Sequence, residues 1–193
     1  MKHFFILGPA RCRTAWLAAF LTCGTVHCHH EASRLAKDGS DFNNLMSIDS
    51  CTVTGNSDSA VCLDVSWFLE HYPDARFLLV DRRFSHVIKS FTQHFGVKFH
   101  NDVWKKIFDL YCSARKQLID HPNARRVLFD DLHDEKVIRD VWDYCTYDAP
   151  WQPDRYTLFK DLVIQVPRTY DLTYRSGFMN QLVKQQLELC QLS

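Results

Sequence analysis

The 193-residue sequence has no surplus of charge of either sign, since 23 Lys and Arg face 23 Asp and Glu. A polyelectrolyte is excluded, and nucleic-acid binding has no global electrostatic support, so any anion site must be built locally. Long apolar runs are also missing. None approaches the ~20 residues that span a bilayer, and the apolar start Phe4–Leu7 meets Arg11 and Arg13 before it reaches the length of a signal-peptide core. Eight cysteines, at 12, 23, 28, 51, 62, 112, 145 and 190, show no disulfide framework. A chain of this size needs none, so most read as reduced and buried, and the expected setting is a reducing cytoplasm. There is no internal repeat and no low-complexity segment.

What is present is ample apolar material, 46% of residues with 13% aromatic, for one domain over residues 1–193. Short apolar runs at Phe4–Leu7, Thr25–Val26, Phe77–Val80 and Arg126–Phe129 read as strands separated by segments of helical spacing, an α/β alternation that predicts a central parallel sheet. The helical stripes are Val61/Val65/Phe68/Leu69, Phe84/Val87/Ile88/Phe91/Phe95, Val103/Ile107/Leu110/Tyr111/Ala114/Leu118 and Val137/Ile138/Val141/Trp142/Cys145, each expected to be a core face. Gly39–Asp58, rich in Ser, Asp, Asn and Thr, reads as a loop or a lid. Thr146–Pro167 reads as an irregular packed crossing, followed by a closing helix from about Phe178 to Leu192.

The densest signal is Phe4-Phe5-Ile6-Leu7-Gly8-Pro9-Ala10-Arg11-Cys12-Arg13-Thr14-Ala15-Trp16-Leu17, a buried strand entering a short turn and then an apolar helix. A helix starting near Arg13 directs its free N–H groups and positive dipole end at the turn, where two guanidiniums and a hydroxyl converge, so an anion is favoured. This is not a Walker loop: Arg13 and Thr14 stand where that motif needs glycine and lysine. The plainer alternative is a strand–helix turn with solvated arginines.

Gly8–Leu17 resembles the 5′-phosphosulfate loop of the sulfotransferase family, G-x-P-[RK]-S-G-T-T-W-L. Arg11 falls on the basic position, Thr14 on the first threonine and Trp16 on the tryptophan, while Cys12, Arg13 and Ala15 replace serine, glycine and the second threonine. A second stretch, Tyr72-Pro73-Asp74-Ala75-Arg76-Phe77 through Arg82 and Ser90, is similar to the family's 3′-phosphate element, with the arginine eight residues before the serine and Arg83 in place of the usual proline. Bottom-up, Arg83, His86 and Ser90 share a polar helix face opposite the Phe84/Val87/Phe91 stripe. A fainter likeness links Val127–Leu132 to the family's R-Y-E-D-L strand end, and Arg175-Ser176-Gly177 to its R-K-G loop.

The resemblance implies a three-layer α/β/α fold of P-loop-like, sulfotransferase architecture. It further implies 3′-phosphoadenosine 5′-phosphosulfate as cosubstrate, in-line sulfuryl transfer to a hydroxyl or amine, and no metal. Arg11, Cys12, Arg13, Thr14, Ala15, Arg82, Ser90 and Arg175 are the expected nucleotide-binding residues, with Arg11 also stabilising the leaving phosphate. The acceptor and the oligomeric state are not specified by the sequence.

Transfer also needs a group to take the acceptor's proton. Val26-His27-Cys28-His29-His30-Glu31 ends the second strand, adjacent to the first loop in a parallel sheet, and Glu31 is the first candidate base with His30 second. Cys23, His27, Cys28, His29 and His30 form a rival zinc-ligand set, although Cys-x4-Cys is not a usual closed spacing and alternate strand residues point to opposite faces. Two other functional readings stand beside sulfuryl transfer. One is a P-loop kinase or NTPase with Asp130 as Walker-B-like acid, against which the absent Gly-Lys-Ser/Thr counts; the other is a catalytically silent nucleotide-binding module.

Overall fold

Alternation in Lys2–Leu7 (β1) sends Phe4 and Ile6 to one side of a sheet and Phe5 and Leu7 to the other, and all four are fully buried, as a central parallel strand requires. The structure, a computed structural model, describes residues 1–167 and 176–191. β1 is joined by Val26–His30 (β2), Val53–Ser57 (β3), Arg76–Asp81 (β4) and Ala124–Leu128 (β5) in an all-parallel sheet of order 2-3-1-4-5. On one face pack Thr14–Leu21 (α1), against Phe4, Ile6, Leu78 and Val80, and Glu135–Thr146 (α7). On the other, Ala32–Leu35 (α2), Gly39–Leu45 (α3), Val65–His71 (α4) and Asn101–Leu118 (α6) cover Phe5, Leu7, Phe77 and Leu79. Phe84–Phe95 (α5), Pro153–Phe159 (α8) and Gly177–Gln191 (α9) complete the α-helices among the described residues, with short 3₁₀ turns at Ser59–Leu63 and Phe129–His133. This is the expected three-layer α/β/α arrangement.

Gly39–Asp58 departs from expectation, because it holds α3 and the central strand β3 rather than a loop. β3 is Val-Thr-Gly-Asn-Ser, buried throughout yet mostly polar, so it carries no apolar signature. Asn56 is satisfied by one partner remote in sequence and one nearby: its Oδ1 accepts from the Ala32 N–H at 3.0 Å, and its Nδ2 donates to Asp58 at 3.4 Å. Gly55 has a different reason, since a Cβ there would sit 2.1 Å from the Phe4 ring that crosses it. The Thr146–Pro167 crossing likewise contains a helix, α8, with Pro153 in its first turn. From α8, Arg155 reaches α1 and donates to the carbonyls of Ala19, Phe20 and Thr22, each at 2.6 Å, capping a helix end that has no basic residue of its own.

No helix among the described residues is long and apolar enough to cross a membrane.

Candidate active site

The turn Gly8–Arg13 leaves the carboxyl end of β1 and enters α1, the position at which open parallel sheets take their ligands. Gly8 is required by close approach, as a Cβ would meet the Val80 carbonyl oxygen at 2.7 Å. Arg11 (φ 71°) and Arg13 (φ 62°) are both left-handed, a region that costs non-glycine residues about 1–2 kcal/mol each. Arg13, which stands where the resembled motif has glycine, thus sits in the left-handed region that glycine enters at least cost. It is held there by its side chain, which donates to the Leu132 carbonyl at 2.8 Å and lies 3.2 Å from His133 Nδ1. Arg11 is held through its main chain, where Arg82 Nη1 donates to its carbonyl oxygen. Its own Nη2 donates to Gln165 Oε1 at 2.9 Å and its Nε reaches Ser90 Oγ at 3.4 Å.

These groups border a cavity of about 280 Å³ at the carboxyl edge of the sheet. Arg11, Arg13, Thr14, Ala15, Arg82 and Ser90 all line it, so the two stretches expected to bind anions, far apart in sequence, meet in one place. The Arg82 guanidinium lies 3.9 Å from the centre of the Phe129 ring, and its buried Nε has no hydrogen-bond partner among the described residues. Burial, then the Arg82 charge, lowers the Arg11 pKa: the cation is disfavoured in a way that an incoming anion relieves.

Glu31 and His30 line the same cavity. β2 is not the neighbour of β1, as β3 lies between them, yet the end of β2 still reaches the loop: His30 Nε2 is 3.3 Å from Thr14 Oγ1 and 3.9 Å from Glu31 Oε1. Burial first, then the Asp58 carboxylate, pushes the Glu31 pKa up to about 7, with Arg34 opposing from 3.8 Å. Burial lowers the His30 pKa, and Asp58 partly offsets this. Glu31 is itself left-handed (φ 58°), so three of the five left-handed non-glycine residues in the described chain border this cavity.

Cys12, expected in the site, has its thiol fully buried in the core and does not line the cavity. The loop turns it inward toward Cys62, and burial pushes its pKa up to about 12. On α5, Ser90 lines the cavity while Arg83 and His86 do not. Arg175 lies outside the described residues. Asp130 is exposed beyond the edge strand β5 and, unlike Phe129 beside it, does not line the cavity, so it does not supply a Walker-B acid there. In the proposed zinc set, His27 and His29 stack edge to face with ring centres 4.4 Å apart, Cys28 is buried in the core and His30 faces the cavity. No group of three potential ligands converges among the described residues.

Sequence reasoning missed Asp58, Ser59, Phe129 and Gln165. Asp58, 2% exposed, accepts from the N–H groups of Ala60 (2.7 Å) and Ser33 (3.2 Å) and joins the end of β3 to the start of α2. Its signal was an Asp-Ser-Ala start to a helical turn, hidden within a stretch that reads as a loop.

No protein-family model matches the sequence, and no curated protein resembles it closely enough to count as a relative. Solved structures do resemble the fold. A sulfotransferase from Alicyclobacillus acidocaldarius superposes with a TM-score of 0.56 at 15% identity, over 82% of this chain and 89% of that one. The sulfotransferase domain of the curacin biosynthetic pathway gives 0.54 at 10%, over 94% and 86%. Mouse sulfotransferase SULT7A1, solved with PAP, gives 0.56 at 9%, over 99% and 81%. Sheet, helical layers and neighbours agree: this chain has the sulfotransferase fold.

Proposed function

We propose that the protein transfers a sulfuryl group from 3′-phosphoadenosine 5′-phosphosulfate to a hydroxyl or amine acceptor. The observation that carries this reading is the meeting of Arg11, Arg82 and Ser90 with Glu31 around one cavity, cations for the nucleotide facing a carboxylate of raised pKa. Arg11 and Thr14 hold the phosphosulfate end, while Arg82 and Ser90 hold the 3′ phosphate. The acceptor proton passes to the Glu31 carboxylate, the acceptor oxygen or nitrogen bonds to sulfur, and the bond from sulfur to the bridging phosphate oxygen breaks. The leaving bisphosphate, 3′-phosphoadenosine 5′-phosphate (PAP), is stabilised by the Arg11 charge. His30, held by Thr14, orients the site beside Glu31 and is the second candidate for the proton. The solved PAP complex of a neighbour of the same fold supports the choice of nucleotide.

Calorimetric titration with PAP, and separately with ATP and Mg²⁺, tests the reading. Binding of PAP with little response to ATP–Mg²⁺ is the expected result; binding of ATP–Mg²⁺ alone overturns it. PAP binding with no turnover over a broad acceptor panel identifies a silent nucleotide-binding module instead.

A further inference from the structure

Five residues that open helices or 3₁₀ turns among the described residues are acidic, and four of them turn their carboxylates onto their own first turn. Asp38 accepts from the Asp41 N–H at 2.9 Å, Asp58 from Ala60 at 2.7 Å, Asp64 from Trp67 at 3.2 Å and Asp134 from Lys136 at 2.8 Å. Glu31, which opens α2, makes no such bond.

The N–H groups at the start of α2 are taken instead by the end of β3. The Glu31 N–H donates to the Ser57 carbonyl at 3.2 Å, Ala32 to Asn56 Oδ1 at 3.0 Å and Ser33 to Asp58 Oδ2 at 3.2 Å. Asn56 Nδ2 donates to that same Asp58 oxygen at 3.4 Å, which ties the two side chains to each other. Both are enclosed, Asn56 fully and Asp58 to all but 2%. The three bonds fasten Glu31 at a left-handed φ of 58°, which few side-chain-bearing residues adopt. Its carboxylate, relieved of capping, lies on the cavity wall 3.8 Å from Arg34 and 3.9 Å from His30.

We infer that Asn56 and Asp58 are positioning residues: they cap α2 in place of Glu31 and so leave its carboxylate free to take the acceptor's proton. This rests on the sulfuryl-transfer reading above. Neither side chain lines the cavity, so each acts through Glu31. The polar make-up of β3 follows from this role. An apolar strand could form the same ladder, but the fully buried N–H groups of Ala32 and Ser33 would then lack partners.

Asp58 has a second effect that an asparagine could not supply. A fixed negative charge beside another carboxylate favours the protonated form, so together with burial it makes Glu31 a stronger base than an exposed glutamate. Arg34 opposes this, and His30 stands on the other side. Arg11, Arg13 and Arg82 border the same cavity, while Cys62 and Tyr111 line the hollow beside it.

The test is a carbon NMR titration of the full chain labelled at its four glutamate carboxyls, with the Glu31 signal identified by its loss in Glu31→Gln. Wild type is expected to titrate at about 7. Asp58→Asn keeps the shape and removes the charge, so the midpoint falls and the ionised fraction at pH 6 is roughly threefold larger. Asn56→Ala frees the Ala32 N–H, whose hydrogen exchange quickens roughly tenfold or more. Glu31 then turns back to cap α2, which also lowers its midpoint. Thr54→Val, buried on the same strand but outside the clamp, leaves the midpoint in place. A midpoint unmoved by Asp58→Asn, or moved as far by Thr54→Val, overturns the inference; if Asn56→Ala does not fold, these two variants decide it. PAP affinity by calorimetry stays within about twofold of wild type in the folded variants, and a loss of about tenfold in Asp58→Asn shows a general disturbance of the site and also overturns it. Failure of PAP to bind wild type overturns the sulfuryl-transfer reading and the base role with it, while the clamp on Glu31 stands or falls on the NMR titration.

Discussion

Arg82, one residue beyond β4, donates from Nη1 to the main-chain carbonyl of Arg11 in the loop after β1. A side chain expected to meet only ligand thus also fastens the neighbouring loop in its left-handed conformation. The two guanidiniums are close enough for the Arg82 charge to lower the Arg11 pKa, and an anion between them removes that repulsion.

Arg82→Ala therefore removes both a ligand contact and a loop tether. PAP affinity measured by calorimetry is expected to fall at least tenfold, about 1.4 kcal/mol. Arg82→Lys recovers little of it, because an ammonium has neither the planar face that lies over Phe129 nor the forked donors.

Glu31 must be ionised to accept a proton, so transfer rises as pH increases through about 7. Glu31→Gln abolishes turnover and leaves PAP binding nearly intact. Stability runs the opposite way. The folded pKa is raised, so the folded state holds the proton longer than the unfolded state does, and stability from this group is full below about 4.5 and lost as pH rises through about 7. Above pH 8, Glu31→Gln is expected to stabilise the protein by about 1–3 kcal/mol in denaturant unfolding. Equal turnover in wild type and Glu31→Gln would transfer the base role to His30.

Cys12 is inert in the folded protein because burial holds its thiol near 12, while Cys112 is exposed. Iodoacetamide at pH 8 followed by peptide mass mapping is expected to label Cys112 and spare Cys12 until the chain is unfolded. Rapid labelling of native Cys12 would contradict its place in the core.

Arg155→Ala leaves three carbonyls at the end of α1 without their charged donor. A loss of about 1–3 kcal/mol is expected, read as a fall in Tm of about 2–4 °C for each kcal/mol. Since α1 carries Thr14 and Ala15 into the cavity, PAP affinity should fall less than stability does.

Local chemistry was legible wherever it depended on neighbours in sequence. The Phe4–Leu7 run and the Gly8–Thr14 turn each describe a short piece of backbone, and periodicity with residue type was enough to identify them, whereas the eight-residue spacing from Arg82 to Ser90 was marked only by its resemblance to the sulfotransferase element. β3 could not be read this way. It is central, yet its buried Thr54, Asn56 and Ser57 carry no apolar alternation to mark a strand. The same blindness hid Asp58, whose influence on Glu31 acts through space between the ends of two adjacent strands.

The sequence alone thus determined the local elements, the placement of cations at two strand ends and the candidate base after the second strand. Only the tertiary structure decided that β3 separates β2 from β1, that His30 still reaches Thr14, that the Cys12 thiol faces inward, and that Gln165 and Phe129 close around Arg11 and Arg82. The physical reason is that helix and strand periodicity are set by the bond geometry of successive residues. Strand order and the pKa of a buried carboxylate are set instead by contacts between residues remote in the chain, which leave no period to read.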